Sequence, residues 1–186
     1  MRPEDLTAIE RLMIRVPHPN YRVLHFSRVH ICSPSSEEIE LVKRVWGITP
    51  TTSERSEWDL SDRDSSFRLE PGTLVMACNT FMCAEQPAEW LSNLERVGAK
   101  WLLVQDLVRA KRTPDRELSL ETGDVMRYSL TQHGIYGATD PGHVVFDFST
   151  CGRRVLDYQE YKPPYHLQSS ENWQKLVVLL ELNSAT

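Results

Sequence analysis

Between residues 73 and 105 two apolar runs flank one short helical segment, and that spacing admits very few folds. Thr73-Leu74-Val75-Met76-Ala77-Cys78 is a near-continuous apolar run, the pattern of a strand covered on both faces. Residues 87 to 97 then read as a helix, with Pro87 at its start, Leu91, Leu94 and Val97 at helical spacing, and Gly98 to close it. Lys100-Trp101-Leu102-Leu103-Val104-Gln105 is a second buried strand. Strand, helix and strand joined this tightly must pair in parallel, through a right-handed crossover. The chain is therefore built around a parallel sheet with helices against it.

The remaining elements extend that unit in both directions. Leu6, Ile9, Leu12, Met13 and Val16 mark one face of an N-terminal helix, which Pro17-His18-Pro19-Asn20 ends. Residues 21 to 32 read as one strand, or as two broken near Ser27. Ser35 or Ser36 can cap the next helix, with Glu37 and Glu38 in its positive first turn; Ile39, Val42 and Trp46 form its buried stripe, and Gly47 stops it. From Thr49 to Pro71 the sequence is polar, and Trp58, Leu60, Phe67 and Leu69 supply its core contacts. The segment from Arg109 to Gly142 is charged and turn-rich, and Val144 to Phe148 is apolar again. Arg154 to Tyr161 and Lys175 to Leu182 predict a closing antiparallel pair, joined by Pro163-Pro164 and a short helix near Glu171-Asn172-Trp173.

Bulk properties narrow the functions. At 186 residues the chain suits one domain, with an N-terminal helix and linker over 1–20 and a long polar loop region over 109–142. A net charge of −5 argues against broad capture of nucleic acid. The first sixteen residues read as an amphipathic helix rather than a leader. The longest apolar runs, Trp101 to Val104 and Leu176 to Leu180, are too short to span a bilayer, so a cytoplasmic protein is expected. Cys32, Cys78, Cys83 and Cys151 lack Cys-x-x-Cys spacing and read as reduced thiols. His25, His30 and Cys32 can share a strand face, but no second cluster completes a metal site, and none is expected.

This order of elements resembles the class I S-adenosylmethionine-dependent methyltransferases, most clearly over residues 73 to 108 and 154 to 182. Thr73–Cys78 looks like that family's fourth strand and Trp101–Asp106 like its fifth, with Ala88–Leu94 the helix between them; 154–158 and 175–182 resemble its closing antiparallel pair. The resemblance implies an α/β, Rossmann-like, mostly parallel sheet with flanking helices and an antiparallel C-terminal strand pair. Val29–Lys43 resembles the family's second strand and helix; in the alternative alignment, Val23–Phe26 is the first strand and Ser35–Trp46 its helix. In either alignment the glycine-rich loop is missing, since no glycine precedes Gly47. Cys32 or Ser33 stands where the family's acid would hold the ribose hydroxyls.

Ligands bind outside the C-terminal ends of parallel strands in open α/β sheets, which makes His30, Cys32, Asn79 and Asp106 the candidate cofactor contacts. Asn79 can instead cap the turn that follows it, and Asp106 can pair with Arg109 or Lys111. Arg109, Arg127 and His143 are the candidate substrate contacts, the arginines through bidentate anion binding and the histidine as an acid or base. No catalytic residue stands out. The expected protein is methyltransferase-like, with a degenerate site that holds no cofactor, and acts as a binding or partner module. The alternative is an active, atypical enzyme using S-adenosylmethionine on a small molecule or glycan. A protein partner or a homo-oligomer is expected in the first case, with Trp46, Trp58 and Trp90 as candidate anchors.

Overall fold

The computed structural model describes residues 3–15, 27–80, 87–109, 118–119, 125–126, 128–131, 134–137, 144–147, 153–161 and 173–182. Helix α1 (Pro3–Arg15) is followed by β1 (Val29–Cys32), α2 (Ser36–Trp46), β2 (Thr51–Ser53), β3 (Thr73–Cys78), α3 (Pro87–Arg96) and β4 (Ala99–Arg109). Short strands β5 (Leu118–Ser119), β6 (Val125–Met126), β7 (Tyr128–Thr131), β8 (Gly134–Gly137) and β9 (Val144–Asp147) come next, then β10 (Arg154–Tyr161) and β11 (Trp173–Glu181).

Strands β2, β1, β3 and β4 lie side by side in that order, all parallel. β11 pairs antiparallel with β4 from Trp101 to Arg109, and β10 pairs antiparallel with β11. The result is a mostly parallel sheet closed by an antiparallel pair. β3 pairs with β4 only as far as Gln105; farther along, Val108 of β4 pairs with Leu130 of β7, which carries the β7–β8–β9 meander. Short strands therefore occur inside the region read as polar loop. β11 begins at Trp173, two residues before the predicted start at Lys175, because Trp173 pairs with Arg109 at the far end of the long β4; Glu171 and Asn172 of the predicted short helix lie outside the described residues.

Both faces of the sheet are covered. On one, Ala8, Ile9, Leu12 and Met13 of α1 and Leu41 and Val42 of α2 pack on Ile31, Leu74, Met76, Leu103 and Leu179. On the other, Leu91, Leu94 and Val97 at and beyond α3 pack on Val75, Ala77, Leu102, Val104 and Val178. The polar stretch before β3 also covers this face without forming regular structure. It is held by side chains of α3: Asn93 donates to the Leu60 carbonyl at 2.9 Å, and Arg96 donates to the carbonyls of Ser65 and Asp62. Trp58 and Leu60, each 4 % exposed, are buried beneath it.

Candidate functional site at the strand switch

From β1 the chain passes through α2 to β2 on one side; from β3 it passes through α3 to β4 on the other. The winding reverses between β1 and β3, which is the place where open α/β sheets hold ligands. A cavity of about 410 Å³ opens there, walled by Cys32, Ser33, Pro34 and Ser35 beyond β1 and by Cys78, Asn79 and Thr80 beyond β3. Trp58 and Trp90 line it, as do Glu38, Arg55, Asp59 and Leu60.

Two left-handed residues form its rim. Ser33 (φ 49°) and Asn79 (φ 53°) turn the chain away from adjacent strand ends, in a region that glycine enters more easily and asparagine tolerates. The Ser33 amide donates to the Ser53 carbonyl at 2.8 Å and the Asn79 amide to the Gln105 carbonyl at 2.6 Å.

Beyond Ser33, Ser35 and Glu38 satisfy each other's amides. Ser35 caps α2: its hydroxyl accepts from the Glu38 amide at 3.3 Å, and its own amide donates to Glu38 Oε2 at 2.7 Å. Pro34 has no amide hydrogen. The Glu37 carboxyl is held below its ordinary range by its own backbone amide first, then by the Ser36 hydroxyl.

Cys32 and Asn79 both line this cavity. His30 shares the Cys32 face but turns aside: its Nδ1 lies 2.9 Å from Thr51 Oγ1 and its Nε2 2.9 Å from Ser53 Oγ. It packs against Trp58 and Phe67, whose rings stack at 4.4 Å. Burial lowers its pKa to about 4, against a smaller opposing effect of Glu57. The Cys32 thiol is pushed up to about 12 by burial and by the charge of Glu38, against a hydrogen bond from Ser53, so it stays neutral and unreactive. Asp106 and Arg109 lie on β4, with side chains outside the described residues, as are Arg127, His143 and His25. Among the described residues no group of three or more metal-ligating side chains occurs, and no helix is long and apolar enough to cross a membrane. Trp58 and Trp90 are buried, and Trp46 is half-buried with its Nε1 donating to the Met13 carbonyl at 3.2 Å.

The depressed pKa of His30 has a measurable consequence. The unfolded chain takes up the imidazole proton at about pH 6.5 and the folded chain only at about pH 4. The stabilisation is complete above pH 6.5 and is lost as the pH falls toward 4. Allowing for solvent screening, unfolding free energy should rise by about 2 kcal/mol across that window, and His30→Gln should flatten the rise. Urea titrations at stepped pH check this; an equal slope in both proteins would assign it to other groups.

No protein-family model matches the sequence, and no curated protein matches it. Solved structures do match the fold. The [4+2]-cyclase SpnF superposes with a TM-score of 0.51 at 9 % identity, covering 96 % of this chain and 82 % of its own. A Listeria monocytogenes protein assigned as an S-adenosylmethionine-dependent methyltransferase gives 0.50 at 9 % identity, covering 95 % and 99 %. The fold is that of the class I S-adenosylmethionine-dependent methyltransferases. A methyltransferase from Clostridium acetobutylicum gives a TM-score of 0.48 at 8 % identity, covering 98 % of this chain and 93 % of its own. At these identities the likeness is one of architecture.

The methyltransferase fold also corrects the strand alignment. In doubly wound sheets the first strand lies beside the fourth and the second lies outside it. β1 borders β3, so Val29–Cys32 takes the first-strand place and α2 is its helix; the second-strand place belongs to β2. The residue that follows the second strand in this order is Glu54, while Cys32 and Ser33 end the first. A three-residue strand with two exposed threonines leaves no apolar pattern in the sequence. Glu38 and Asp59 join the cavity wall without a site signal in the sequence, and Trp58 and Trp90, candidate interface anchors, line the cavity instead. The Ser35-x-x-Glu38 spacing was the one available signal, and it reads as a helix cap.

Proposed function

We propose that this protein is a methyltransferase-like binding or partner module that does not catalyse methyl transfer. One observation carries the reading: in the loop after β1, where this fold ordinarily presents backbone amides to its cofactor, three amides are engaged within the protein and a proline stands at a fourth position. The amides of Ser33, Ser35 and Glu38 are engaged within the protein, and Pro34 has none. Side chains also stand where glycines would let a ligand approach the backbone. Glu54 follows β2 but is not among the residues walling the cavity. The residues present therefore do not fit S-adenosylmethionine in the manner usual for the fold. Calorimetric titration with S-adenosylmethionine and S-adenosylhomocysteine should show no saturable heat up to millimolar ligand, from protein shown by circular dichroism to be folded. Micromolar, stoichiometric binding would overturn the reading.

A second reading, an active enzyme with a rebuilt pocket, has one observation in its favour. The space at the strand switch is a cavity rather than a plug of side chains. Methyl transfer asks chiefly for alignment, so it needs little from side chains once the cofactor is held. Asn79 and Asp106 would then serve the cofactor, and Arg109, Arg127 and His143 the substrate. Transfer of a labelled methyl group to a small-molecule or glycan panel would decide for it.

A further inference from the structure

The cavity wall that carries Arg55, Trp58, Asp59 and Leu60 is a single loop, residues 54–68, between β2 and β3. Both of its roots are tied down through the backbone: the Ser33 amide donates to the Ser53 carbonyl, and the Leu69 amide to the Val97 carbonyl. Between the roots, among the described residues, no backbone-to-backbone hydrogen bond leaves the loop. Its amides turn inward instead. Glu57 and Trp58 donate to the Glu54 carbonyl, Asp62 to the Asp59 carbonyl, and Ser61 and Asp64 to the carboxylates of Asp59 and Asp62. The Trp58 and Phe67 rings stack on each other at 4.4 Å. A loop packed by its own groups, with its ends on the two strands that flank β1, moves as a unit more readily than a segment stitched into a sheet.

One stripe of α3 holds the loop shut. Glu89, Asn93 and Arg96 stand at helical spacing along it. Glu89 pairs with Arg63, Asn93 donates to the Leu60 carbonyl at 2.9 Å, and Arg96 donates to the carbonyls of Ser65 at 3.1 Å and Asp62 at 3.3 Å. Among the described residues these three side chains make every hydrogen bond and ion pair that joins residues 54–68 to the rest of the chain. The closed loop also leaves two buried donors unsatisfied, Trp58 Nε1 and Arg96 Nε. Opening hydrates both, which offsets part of the cost of exposing Trp58 and Leu60.

We propose that residues 54–68 form a lid on the cavity, hinged at Ser53 and Leu69 and latched by Glu89, Asn93 and Arg96, that opens as a unit while the sheet stays folded. The inference rests on the cavity being the binding site of the module proposed above, and the lid controls entry to it.

The test is native-state hydrogen exchange of the full chain, followed by NMR. The Trp58 indole proton has no hydrogen bond and owes its protection to burial under the closed lid, which makes it the reporter. Its protection factor should be at least 100-fold below those of the Met76 and Leu103 amides in the sheet. It should also fall less steeply with urea below the unfolding midpoint, because lid opening exposes little surface. Asp5→Ala, on the opposite face, should lower core protection and leave that of Trp58 within twofold. Asn93→Ala strands the Leu60 carbonyl and should lower Trp58 protection at least fivefold. Should that variant not fold, Arg96→Gln gives the same readout, with at least a threefold loss. Equal protection and equal urea slopes at Trp58 and in the sheet, an equal fall at both in Asp5→Ala, or unchanged Trp58 protection in a folded latch variant would overturn the inference. No ligand enters the measurement, so its failure is distinct from a failure of the calorimetric test of the proposed function.

Discussion

Asp5→Ala should destabilise this protein by about 3–5 kcal/mol, the scale of a buried ion pair deprived of one partner. Lys175 Nζ lies 2.7 and 2.8 Å from the two Asp5 oxygens, with Asp5 1 % and Lys175 8 % exposed. The Tyr161 hydroxyl also donates to Asp5, at 2.8 Å, and accepts from Gln105 Nε2 at 3.0 Å. Burial first, then the charge and hydrogen bond of Asp5, drive the Tyr161 pKa well above its ordinary value, so this hydroxyl remains a donor. Alanine at position 5 would strand the Lys175 ammonium and leave the Tyr161 hydroxyl without its acceptor. The group joins α1 to β4, β10 and β11, so the loss should appear as one cooperative shift in urea unfolding rather than as fraying of α1. Asp5→Leu combined with Lys175→Met removes both charges and should recover most of the loss. A single-variant cost under about 1 kcal/mol would show that the pair contributes little beyond solvated charges.

The second large effect is expected at Gly98, between α3 and β4. Its φ is +105°, and a Cβ there would meet the Leu69 carbonyl oxygen at 2.8 Å. That backbone is fixed, because the Leu69 amide donates to the Val97 carbonyl at 2.7 Å. Gly98→Ala combines an unfavourable backbone conformation with an overlap that no flexible side chain can relieve, and should cost about 2–4 kcal/mol. Gly47 is the internal control. Its φ is +69° but nothing lies within 4 Å of an added Cβ, so Gly47→Ala should cost only about 1 kcal/mol. Thermal melts of the two variants give the comparison; equal shifts would mean that the segment carrying Leu69 yields.

Much of this architecture was legible in the sequence because it depends on neighbours along the chain. The capping of α2 by Ser35, its stop at Gly47 and the strand–helix–strand unit from Thr73 to Gln105 are all local patterns, and all are present. The cavity was legible only in part. Cys32 and Asn79 stand at strand ends that the sequence marks, whereas Trp58 and Asp59 lie in a polar stretch whose path is set by hydrogen bonds to α3.

Apolar runs, helix spacing and glycine positions are properties of the chain alone, and the parallel sheet and the lack of glycine before Gly47 follow from them. Tertiary structure alone decided that β1 is an inner strand, that His30 is spent on Thr51 and Ser53, and that Asp5 meets Lys175. Each of these depends on groups 21 to 170 residues apart, brought together by sheet order and burial, and no local preference encodes such a meeting.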